Sequence, residues 1–395
     1  MRILVVSRYT WPEGGGAELA TWYYLREMSK YFKITLISGT RNPSRDLLSR
    51  VNYVFLPGLN NSGFKLKDWI ILTKYKDLLS RLIRAHDLVY IPSKNMYPAA
   101  LLAKSIDPKK PVVIHVHDYQ PITYTAAKFP GIEPGIKTDI TYERLEHSML
   151  KSVIVGYLSI INTVNKLAVK YADLLIFVSK RQADYVMSTM PELRGKGVVI
   201  YNPPLSIGRD SKRFSDEPTA MFMGGSSKTK GFTLLIGSLI KALRDGVKVR
   251  VLVTNYILNG IKLPSWLNGI IQVLGRISHD ELLSKLGETW FTVHPSIYEE
   301  PLPYSLLEGL FTHNLVIASR VGGIPEILSG TPMESFLFDP LSIDEFTEKI
   351  ERSVSLDPGT IYDLSEKSMK IVSDRLVQSS SRFIPIISDL VNNYG

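Results

Sequence analysis

The sequence predicts an α/β protein built from two doubly wound domains with parallel sheets. Its 395 residues suit two domains of ordinary size. Short apolar runs alternate with amphipathic segments, which is typical of parallel strands joined by right-handed crossover helices. The alternation breaks once, in a proline-containing polar stretch at 202–218, and then restarts. The composition, 45% hydrophobic and 22% charged, is that of a globular chain.

The first half contains seven predicted strands, each a short apolar run. They are Ile3–Ser7, Ile34–Ser38, Tyr53–Leu56, Leu88–Ile91, Val112–Val116, Leu174–Val178 and Val198–Tyr201. Helices are predicted at 17–30, near 66–84 and 97–105, from about 142 to 171, and near 180–190.

The second half repeats the pattern after the linker. Its predicted strands are Ala220–Met223, Lys248–Val253, Ile270–Val273, Phe291–His294 and Leu315–Ala318, with helices at 231–244, 279–286 and 304–313. We therefore expect two Rossmann-like domains, residues 1–203 and 204–376, that face each other across a cleft. The active site is expected in that cleft.

The basic charge of the chain lies in its first half. Residues 1–196 hold 28 Lys and Arg against 16 Asp and Glu, a net charge of +12, and residues 197–395 hold 19 against 22, a net charge of −3. This asymmetry predicts an anionic partner such as a phospholipid surface or a pyrophosphate-linked acceptor. No nucleic-acid partner is expected, since the chain has no zinc finger, RNA-binding aromatic signature or arginine-rich tail. A solvated surface without a partner is the alternative.

The chain has no cysteine. This excludes a disulfide scaffold, thiolate metal sites, iron–sulfur clusters and a cysteine nucleophile, and it is compatible with a reducing, cytoplasmic location. No segment is predicted to cross a membrane. The longest uncharged stretch, 152–165, is shorter than the ~18 residues of a spanning helix and predicts a buried or interfacial helix.

A glycine-rich turn follows the first predicted strand and opens the first helix. Gly15 and Gly16 allow the backbone to approach a ligand closely, and the helix N-terminus favours an anion. The turn does not match the dinucleotide pattern G-x-G-x-x-G, so NAD and FAD are disfavoured. A tight turn without a ligand is the alternative.

A second phosphate-binding candidate opens the second domain. Gly224 and Gly225 follow a strand, and Lys228 and Lys230 precede a helix. The loop resembles a phosphate-binding strand–loop–helix without matching the Walker pattern. A cation at Lys230 would neutralise a leaving phosphate at the helix N-terminus, whereas a solvated lysine is the alternative.

Two glutamates flank a predicted helix start in the second domain. Glu300 stands in the loop, Pro303 suits the first helical turn, and Glu308 falls in the second turn. Five helical residues place about 7 Å between the helix start and Glu308. That is looser than the ~5 Å carboxylate pair of a retaining hydrolase. The pattern favours two carboxylates that hold hydroxyls at opposite ends of a long ligand, and a capping acid with a surface acid is the alternative.

His117 and Asp118 follow a predicted strand, at the carboxyl edge where open α/β sheets bind ligands. Period two places His115 and His117 on one face, and His115 is expected to be a buried, hydrogen-bonded histidine. No D-x-D pair occurs among the 19 aspartates, so we expect neither a bound metal nor another cofactor.

Together these segments resemble family 4 of the retaining GT-B glycosyltransferases over nearly the whole chain. The resemblance also rests on residues 172–179, 199–203, 275–278 and 321–326. It implies transfer of a hexose from a nucleotide-diphosphate sugar to a glycan or lipid-linked acceptor, without a metal or a protein nucleophile. It also implies that a terminal helix, 377–395, crosses back to the first, acceptor-binding domain.

The resemblance implies a role for each candidate residue. His117, Glu300 and Lys230 are the expected catalytic group: His117 faces the transferring sugar, Glu300 holds sugar hydroxyls and Lys230 contacts the diphosphate. Glu308 is expected to bind the ribose. Further donor contacts are expected from Gly15, Gly16, Gly224, Gly225, Lys228, Ile277, Leu302, Pro303 and Tyr304. The family usually has Gly-Arg at 224–225, so an inactive sugar-nucleotide or glycan-binding subunit stays an alternative, as does a soluble transferase that makes a small sugar.

The basic helix predicted near 66–84 is a candidate membrane contact. Lys67, Lys74 and Arg81 recur every seven residues and so form one stripe. Apolar residues accompany them, namely Leu66, Trp69, Ile70, Leu72, Leu79 and Ile83. We therefore expect a cytoplasmic protein that binds the inner face of the cell membrane through this helix. An ordinary helix packed on the sheet is the alternative.

Overall fold

The computed structural model describes residues 1–59, 65–207, 212–254 and 263–393, and its first domain contains a seven-stranded sheet. The strands are β1 (Arg2–Val6), β2 (Lys33–Ser38), β3 (Asn52–Phe55), β4 (Leu88–Ile91), β5 (Val112–Val116), β6 (Leu174–Phe177) and β7 (Gly197–Val199). Their order is β3-β2-β1-β4-β5-β6-β7, and all neighbours are parallel. The seven predicted strands are confirmed to within two residues at each end.

Nine helices lie among the described residues of the first domain. They are α1 (Gly16–Met28), α2 (Arg45–Leu48), α3 (Lys65–Lys74), α4 (Lys76–Ala85), α5 (Pro98–Ile106), α6 (Ile136–Glu146), α7 (Met149–Leu158), α8 (Thr163–Tyr171) and α9 (Lys180–Thr189). Two predicted helices were wrong in their continuity. The 66–84 helix breaks at Tyr75, and the 142–171 helix breaks at His147 and Ser148, where the Ser148 hydroxyl caps α7. A 3₁₀ turn, Ser159–Asn162, then separates α7 from α8.

The second domain contains a six-stranded parallel sheet. Its strands are β8 (Thr219–Phe222), β9 (Arg250–Thr254), β10 (Ile271–Gly275), β11 (Phe291–His294), β12 (Leu315–Ser319) and β13 (Leu337–Phe338), in the order β10-β9-β8-β11-β12-β13. The helices are α10 (Phe232–Arg244), α11 (His279–Glu288), α12 (Tyr304–Phe311), α13 (Ile324–Leu328), α14 (Ile343–Val354), α15 (Pro358–Ser380) and α16 (Phe383–Asn392). The prediction of two doubly wound α/β domains is confirmed, although the two-residue strand β13 was missed.

The central strands of both sheets are buried on both faces, as parallel strands covered by helices must be. Every residue of β4, β5 and β12 is buried. The end of the chain returns to the first domain, because Phe383 and Ile387 of α16 join Tyr24 and Tyr90 in the core on one face of the first sheet. The predicted terminal helix is divided between α15 and α16, which separate at Ser381 and Arg382.

One helical run is long and apolar enough to be tested as a membrane span. Met149–Tyr171 has 23 residues with a mean hydropathy of 1.4, and 39% of its most apolar window is buried in the protein. Because α7 and α8 are separate helices, and Ala168 and Val169 of α8 lie in the core, this run lies along the first domain. By length and composition alone it is weak evidence for a membrane span.

The α3–α4 segment does not offer the apolar face that the sequence predicted for membrane contact. Leu72, Leu79 and Ile83 are at most 4% exposed and lie in the core of the first domain. Lys67, Lys74 and Arg81 are exposed, as expected for the solvent side of a helix packed on a sheet. This packing favours the alternative of an ordinary helical segment packed on the sheet, although Ile70 is 63% exposed, and membrane contact through this segment stays a prediction.

Candidate active site

The loop between β8 and α10 is shaped by glycines. A Cβ at Gly224 would lie 2.3 Å from the Phe222 ring, and Gly225 has a left-handed φ of +61°. Gly231, at φ +85°, comes so close to Pro295 that a Cβ would meet its carbonyl oxygen at 1.8 Å. The backbone therefore requires glycine at 224 and 231 and favours it at 225, where the resembled family carries arginine. Lys228 lies half-buried in this loop, and its carbonyl accepts the Gly231 N–H at 3.0 Å.

The structure brings two predicted catalytic residues into direct contact. The Lys230 ammonium donates to Oε1 of Glu300, which also accepts the Ser296 hydroxyl at 2.7 Å. Oε2 of Glu300 accepts the Tyr298 hydroxyl at 2.8 Å. Glu300 is 4% exposed, and Lys230 keeps more of its side chain open. A buried carboxylate is thus satisfied on both oxygens before any ligand binds.

Glu308 is held by a residue that the sequence analysis missed. Nε2 of His279 lies 2.8 Å from Oε1 of Glu308, which is 6% exposed. His279 begins α11 directly after the capping Ser278, so the motif at 275–278 stopped one residue short of it. The ring of Trp11, from the first domain, meets the His279 ring edge-on at 5.0 Å. This contact places Glu308 at the boundary between the domains.

The first domain contributes the N-terminus of α1, which has open space beside Gly15. A Cβ at Gly15 would have no heavy atom within 4 Å, and the Gly15 N–H donates to Glu18 at 2.8 Å. A Cβ at Gly16 would lie 3.4 Å from Cβ of Tyr304, an ordinary van der Waals contact, so the start of α1 lies next to the start of α12. Burial raises the pKa of Glu18, which favours loss of its negative charge beside the helix terminus.

The two histidines after β5 are stacked, with ring centroids 4.3 Å apart. His115 is fully buried and its Nδ1 meets the Tyr90 hydroxyl at 2.7 Å, which confirms the structural role expected of it. Among the described residues, Nε2 of His117 is buried without a hydrogen-bond partner. Burial lowers the pKa of His117 to about 3, so its imidazole is neutral at pH 7.

A chain of contacts joins the segment after His117 to the second domain. The Asp118 carbonyl accepts the side-chain amide of Gln182 at 2.9 Å, and the Gln182 N–H donates to the Ser179 hydroxyl. A Cβ at Gly323 would lie 2.7 Å from Cβ of Ser179, and the Gly323 N–H donates to the Glu300 carbonyl at 2.8 Å. His117 and the Glu300 pair therefore lie on facing sides of the cleft.

The remaining predicted donor residues lie around the start of α12 and before α11. Pro303 directly precedes α12, and Leu302 is 6% exposed. The side chain of Tyr304 has partners in the protein: its hydroxyl donates to the Pro203 carbonyl at 3.1 Å, and its ring stacks on that of Tyr23 with 6.3 Å between centroids. Ile277 is half-buried in the loop between β10 and α11.

The space beside the Lys230–Glu300 pair is small. A cavity of about 40 Å³ is bordered by Gly224, Lys230, His294, Glu300 and Ser305, among others. Such a volume holds only a few water molecules, since one probe-sized site takes ~10–15 Å³. A nucleotide sugar is far larger, so this cavity alone could not hold one.

A carboxylate from each side of the Gly322–Gly323 turn joins the two domains. Oε1 of Glu299 accepts the Tyr185 hydroxyl at 2.6 Å and lies 3.2 Å from the Arg181 guanidinium. Glu326 accepts the backbone N–H groups of Lys180 and Arg181, at 2.8 and 2.6 Å, and so caps α9 from the opposite domain. These contacts hold the domains together, and the sequence analysis did not single out Glu299.

A further cross-domain contact reaches the glycine loop. Oε1 of Glu146, at the end of α6, accepts the Ser227 hydroxyl at 2.8 Å and the Thr229 N–H at 2.7 Å.

In the part of the chain that the structure describes, no three His, Cys, Asp or Glu side chains are grouped in a way that would hold a metal ion.

Comparisons with known proteins identify the second domain. Residues 217–355 match the family model described as glycosyl transferases group 1. The chain has a GT-B fold. No curated protein sequence matches the chain.

Solved structures share this fold over the whole length at low sequence identity. HepE of Anabaena in complex with UDP and glucose has a TM-score of 0.65 and 17% identity, with 98% of this chain and 100% of HepE covered. Sucrose-phosphate synthase of Thermosynechococcus elongatus has a TM-score of 0.72 and 14% identity, with 100% of both chains covered. An α,α-trehalose-phosphate synthase of Burkholderia xenovorans, in complex with glucose-6-phosphate, has a TM-score of 0.66 and 12% identity, with 99% and 100% covered.

Proposed function

We propose that this protein is a retaining glycosyltransferase of family 4 that moves a hexose from a nucleotide-diphosphate sugar to a glycan or lipid-linked acceptor, without a metal. The observation that carries the proposal is the Lys230–Glu300 pair beside the glycine loop that precedes α10. It lies in the domain that matches the group 1 glycosyltransferases, and HepE, a structural neighbour, has been solved with UDP-glucose. We further propose a cytoplasmic location.

The pair supplies two functions that a sugar transfer needs. When the donor binds, Lys230 exchanges Glu300 for the diphosphate, whose negative charge grows as the sugar leaves. Glu300, released from the lysine, accepts hydroxyl donors of the sugar and stays anchored by Ser296 and Tyr298. The exchange keeps each charge paired throughout, so neither is left buried alone.

The arrangement does not favour a covalent sugar–protein intermediate, so we propose that retention follows from attack on the front face. Three donors engage the two oxygens of Glu300, which reduces the nucleophilicity of that carboxylate. Glu308 is engaged by His279 and is assigned to the ribose. The acceptor hydroxyl attacks C1 on the face from which the diphosphate departs, and the new C1–O bond forms as the bond from C1 to the diphosphate oxygen breaks, through an oxocarbenium-like state. The hydroxyl proton passes to the departing diphosphate oxygen, and the configuration is retained. In this proposal the neutral imidazole of His117 meets the transferring sugar.

The test is a donor panel on the full chain. UDP-, GDP- and ADP-glucose and the matching galactose and mannose donors are incubated with the protein, after exhaustive chelation and with magnesium or manganese restored. Release of the nucleoside diphosphate reports turnover, and NMR of the product reports its anomeric configuration. We expect release from one donor class without metal and a product with the donor's configuration.

The panel also separates the alternatives. Donor binding without release, seen as a thermal shift of several degrees, would support an inactive binding subunit, for which glycine at 225 is the motivating observation. Release that depends on glucose-6-phosphate or a free sugar would support a soluble transferase of small sugars. Activity that returns only with a divalent ion would refute the proposal that the transfer needs no metal.

A further inference from the structure

The first turns of the α7 region carry a continuous apolar surface that no described part of the protein covers. Its members lie at helical spacing and are more than half exposed, with exposed fractions of 51% to 76%. These residues, the α7 apolar face, are Met149, Leu150, Val153, Ile154, Tyr157 and Ile160. Scattered single apolar residues are ordinary on a protein surface, whereas six on one helical stripe mark a contact surface.

The opposite side of α7 fixes the helix to the first domain. Ser152, Val155 and Gly156 are buried, and a Cβ at Gly156 would lie 3.2 Å from the Ile140 side chain of α6. The Ser159 hydroxyl donates to the buried carboxylate of Asp139 at 2.6 Å. The helix is therefore firmly attached along one side, and its apolar side is directed outward by packing.

Charge around the α7 apolar face is arranged for an anionic surface. Within residues 136–171, Lys137, Arg144 and Lys151 are exposed. The acids of the same stretch are mostly turned inward: Asp139 is fully buried, Glu143 is 6% exposed and pairs with Lys151 at 3.3 Å, and Glu146 bonds to the glycine loop of the other domain, so Lys137 and Arg144 carry the outward charge. The outward charge of this region is therefore positive beside an apolar stripe, which is the pattern of an interfacial helix.

The α7 apolar face also lies close to the candidate active site. Glu146, three residues before α7, contacts Ser227 and Thr229 of the loop that precedes Lys230. Burial and the carboxylates of Glu146 and Glu143 raise the pKa of Tyr142 to about 12, and the charge of Lys230 opposes them. Tyr142 of α6 is thus within electrostatic reach of Lys230, one helix away from the apolar stripe.

We infer that the α7 apolar face docks on an anionic lipid surface, with α7 lying in the plane of the membrane interface. Ten helical residues reach about 15 Å, half of a hydrocarbon core, so α7 is the right length to lie in the interface and too short to cross it. Docking there brings the cleft to the membrane, so the acceptor is a lipid-linked one. That last step rests on the proposed function; the docking surface does not.

Vesicle sedimentation tests the docking surface without any donor or acceptor. The full chain is mixed with vesicles of equal parts phosphatidylglycerol and phosphatidylcholine, and with phosphatidylcholine alone. The test variant is Leu150→Glu/Val153→Glu/Tyr157→Glu. A matched control places glutamate at exposed apolar positions elsewhere, Ile70→Glu/Leu341→Glu, at 63% and 87% exposure. Circular dichroism checks that each variant is folded.

We expect the wild type and the control to sediment with the anionic vesicles and the test variant to lose at least tenfold in binding. Lys137→Gln/Arg144→Gln is expected to weaken binding roughly fivefold per basic residue on anionic vesicles only. Absent binding of the wild type, or equal binding of the test variant, overturns the inference. So does a wild-type dimer, seen by light scattering, that the test variant dissociates, since a second copy is then the occupant. Donor turnover, measured in the same preparations, reports separately on the proposed function.

Discussion

The two sides of the cleft satisfy their polar groups differently. On the second-domain side, the carboxylates of Glu300 and Glu308 are paired with Lys230 and His279, within the same domain. On the first-domain side, the described structure leaves Nε2 of His117 buried without a partner, and α1 begins with a bare Gly15. The two carboxylates on the second-domain side have hydrogen-bond partners without a ligand, whereas the imidazole nitrogen on the first-domain side has none in the described structure.

This difference indicates where the binding of a ligand would offset an existing free-energy cost of the fold. An unsatisfied buried polar atom costs about 1–3 kcal/mol, and a hydroxyl placed at His117 would recover that amount. On the paired side, a ligand that contacts Lys230 or Glu300 competes with the existing ion pair, and we propose that the donor exchanges partners with both residues. Binding on the second-domain side is therefore an exchange of charges, and binding on the first-domain side is the completion of a neutral site.

The largest effect is expected from removing the lysine of the Lys230–Glu300 pair. Lys230→Ala removes the cation that would follow the charge of the leaving diphosphate, and we expect kcat to fall by about 10²–10³, as when a transition-state donor is deleted. The control is Lys241→Ala, a lysine of α10 whose surface partner is Asp344. Steady-state kinetics with the active donor decide the matter. An unchanged kcat in Lys230→Ala would remove this lysine from the proposed mechanism.

The next effect addresses the neutral side. His117→Ala removes the imidazole that the proposed function assigns to the transferring sugar, and we expect kcat/KM to fall about 10²-fold, in the lower range for a positioned acid–base group. His117→Asn keeps a neutral donor and acceptor of similar size and is expected to recover part of the loss. Recovery that is complete at high acceptor concentration would limit His117 to binding.

The pH dependence of folding stability tests the burial of His117 without any substrate. Burial holds the pKa of His117 at about 3, against 6.5 for an unperturbed histidine, so the unfolded chain binds a proton that the folded one excludes. Its stabilising contribution is complete above pH 6.5 and is lost as the pH falls toward 3. Between about pH 6.5 and 5, the free energy of unfolding falls by about 1–2 kcal/mol for each such histidine.

Denaturant melts at a series of pH values measure this loss. His294, in the second domain, has a pKa of about 3 for the same first reason, burial, and titrates in the same direction. His117→Asn is expected to flatten the profile below pH 6.5, and the exposed His147→Asn serves as its control. A profile that His117→Asn leaves unchanged would show that this imidazole is not excluded from protonation in the fold.

The sequence predicted the second-domain side better than the first because its information is local. Two prolines and two glutamates in one short segment fix a helix start and its flanking acids, and glycines at 224 and 231 are demanded by backbone contacts. The pairing of Glu300 with Lys230 could not be predicted, since the two residues are far apart in the chain. A period of two correctly placed His117, just after β5, on the same side as His115, but it did not show what covers His117.

The same limit applies to the choice between the two basic helical segments as membrane contacts. The segments 66–84 and 149–171 both combine lysines with apolar residues, and the sequence analysis chose the former as the membrane contact. The packing reverses this choice: Leu79 and Ile83 are in the core, whereas Leu150 and Tyr157 are 74% and 76% exposed. Amphipathic spacing tells which residues share a face, and only tertiary packing tells whether the protein itself covers that face.

The smallest expected effect concerns Glu308 and the residue that holds it. Glu308→Ala is expected to raise the KM of the donor about tenfold with little change in kcat, because a ribose contact is shared by the ground and transition states. His279→Ala leaves the carboxylate in place but frees it from the 2.8 Å contact, so a rise of only about threefold is expected. The two effects should not add in the double variant, since both act on one contact.

Donor kinetics on the single variants and the double variant measure this coupling. Asp280→Ala, next to His279 and exposed at the start of α11, is the matched control for a change in that helix. Full additivity would show that His279 and Glu308 act on the donor independently. A fall in kcat as large as that of Lys230→Ala would show that Glu308 acts at the reacting centre, and the contrast between a ribose-binding and a charge-exchanging carboxylate would then fail.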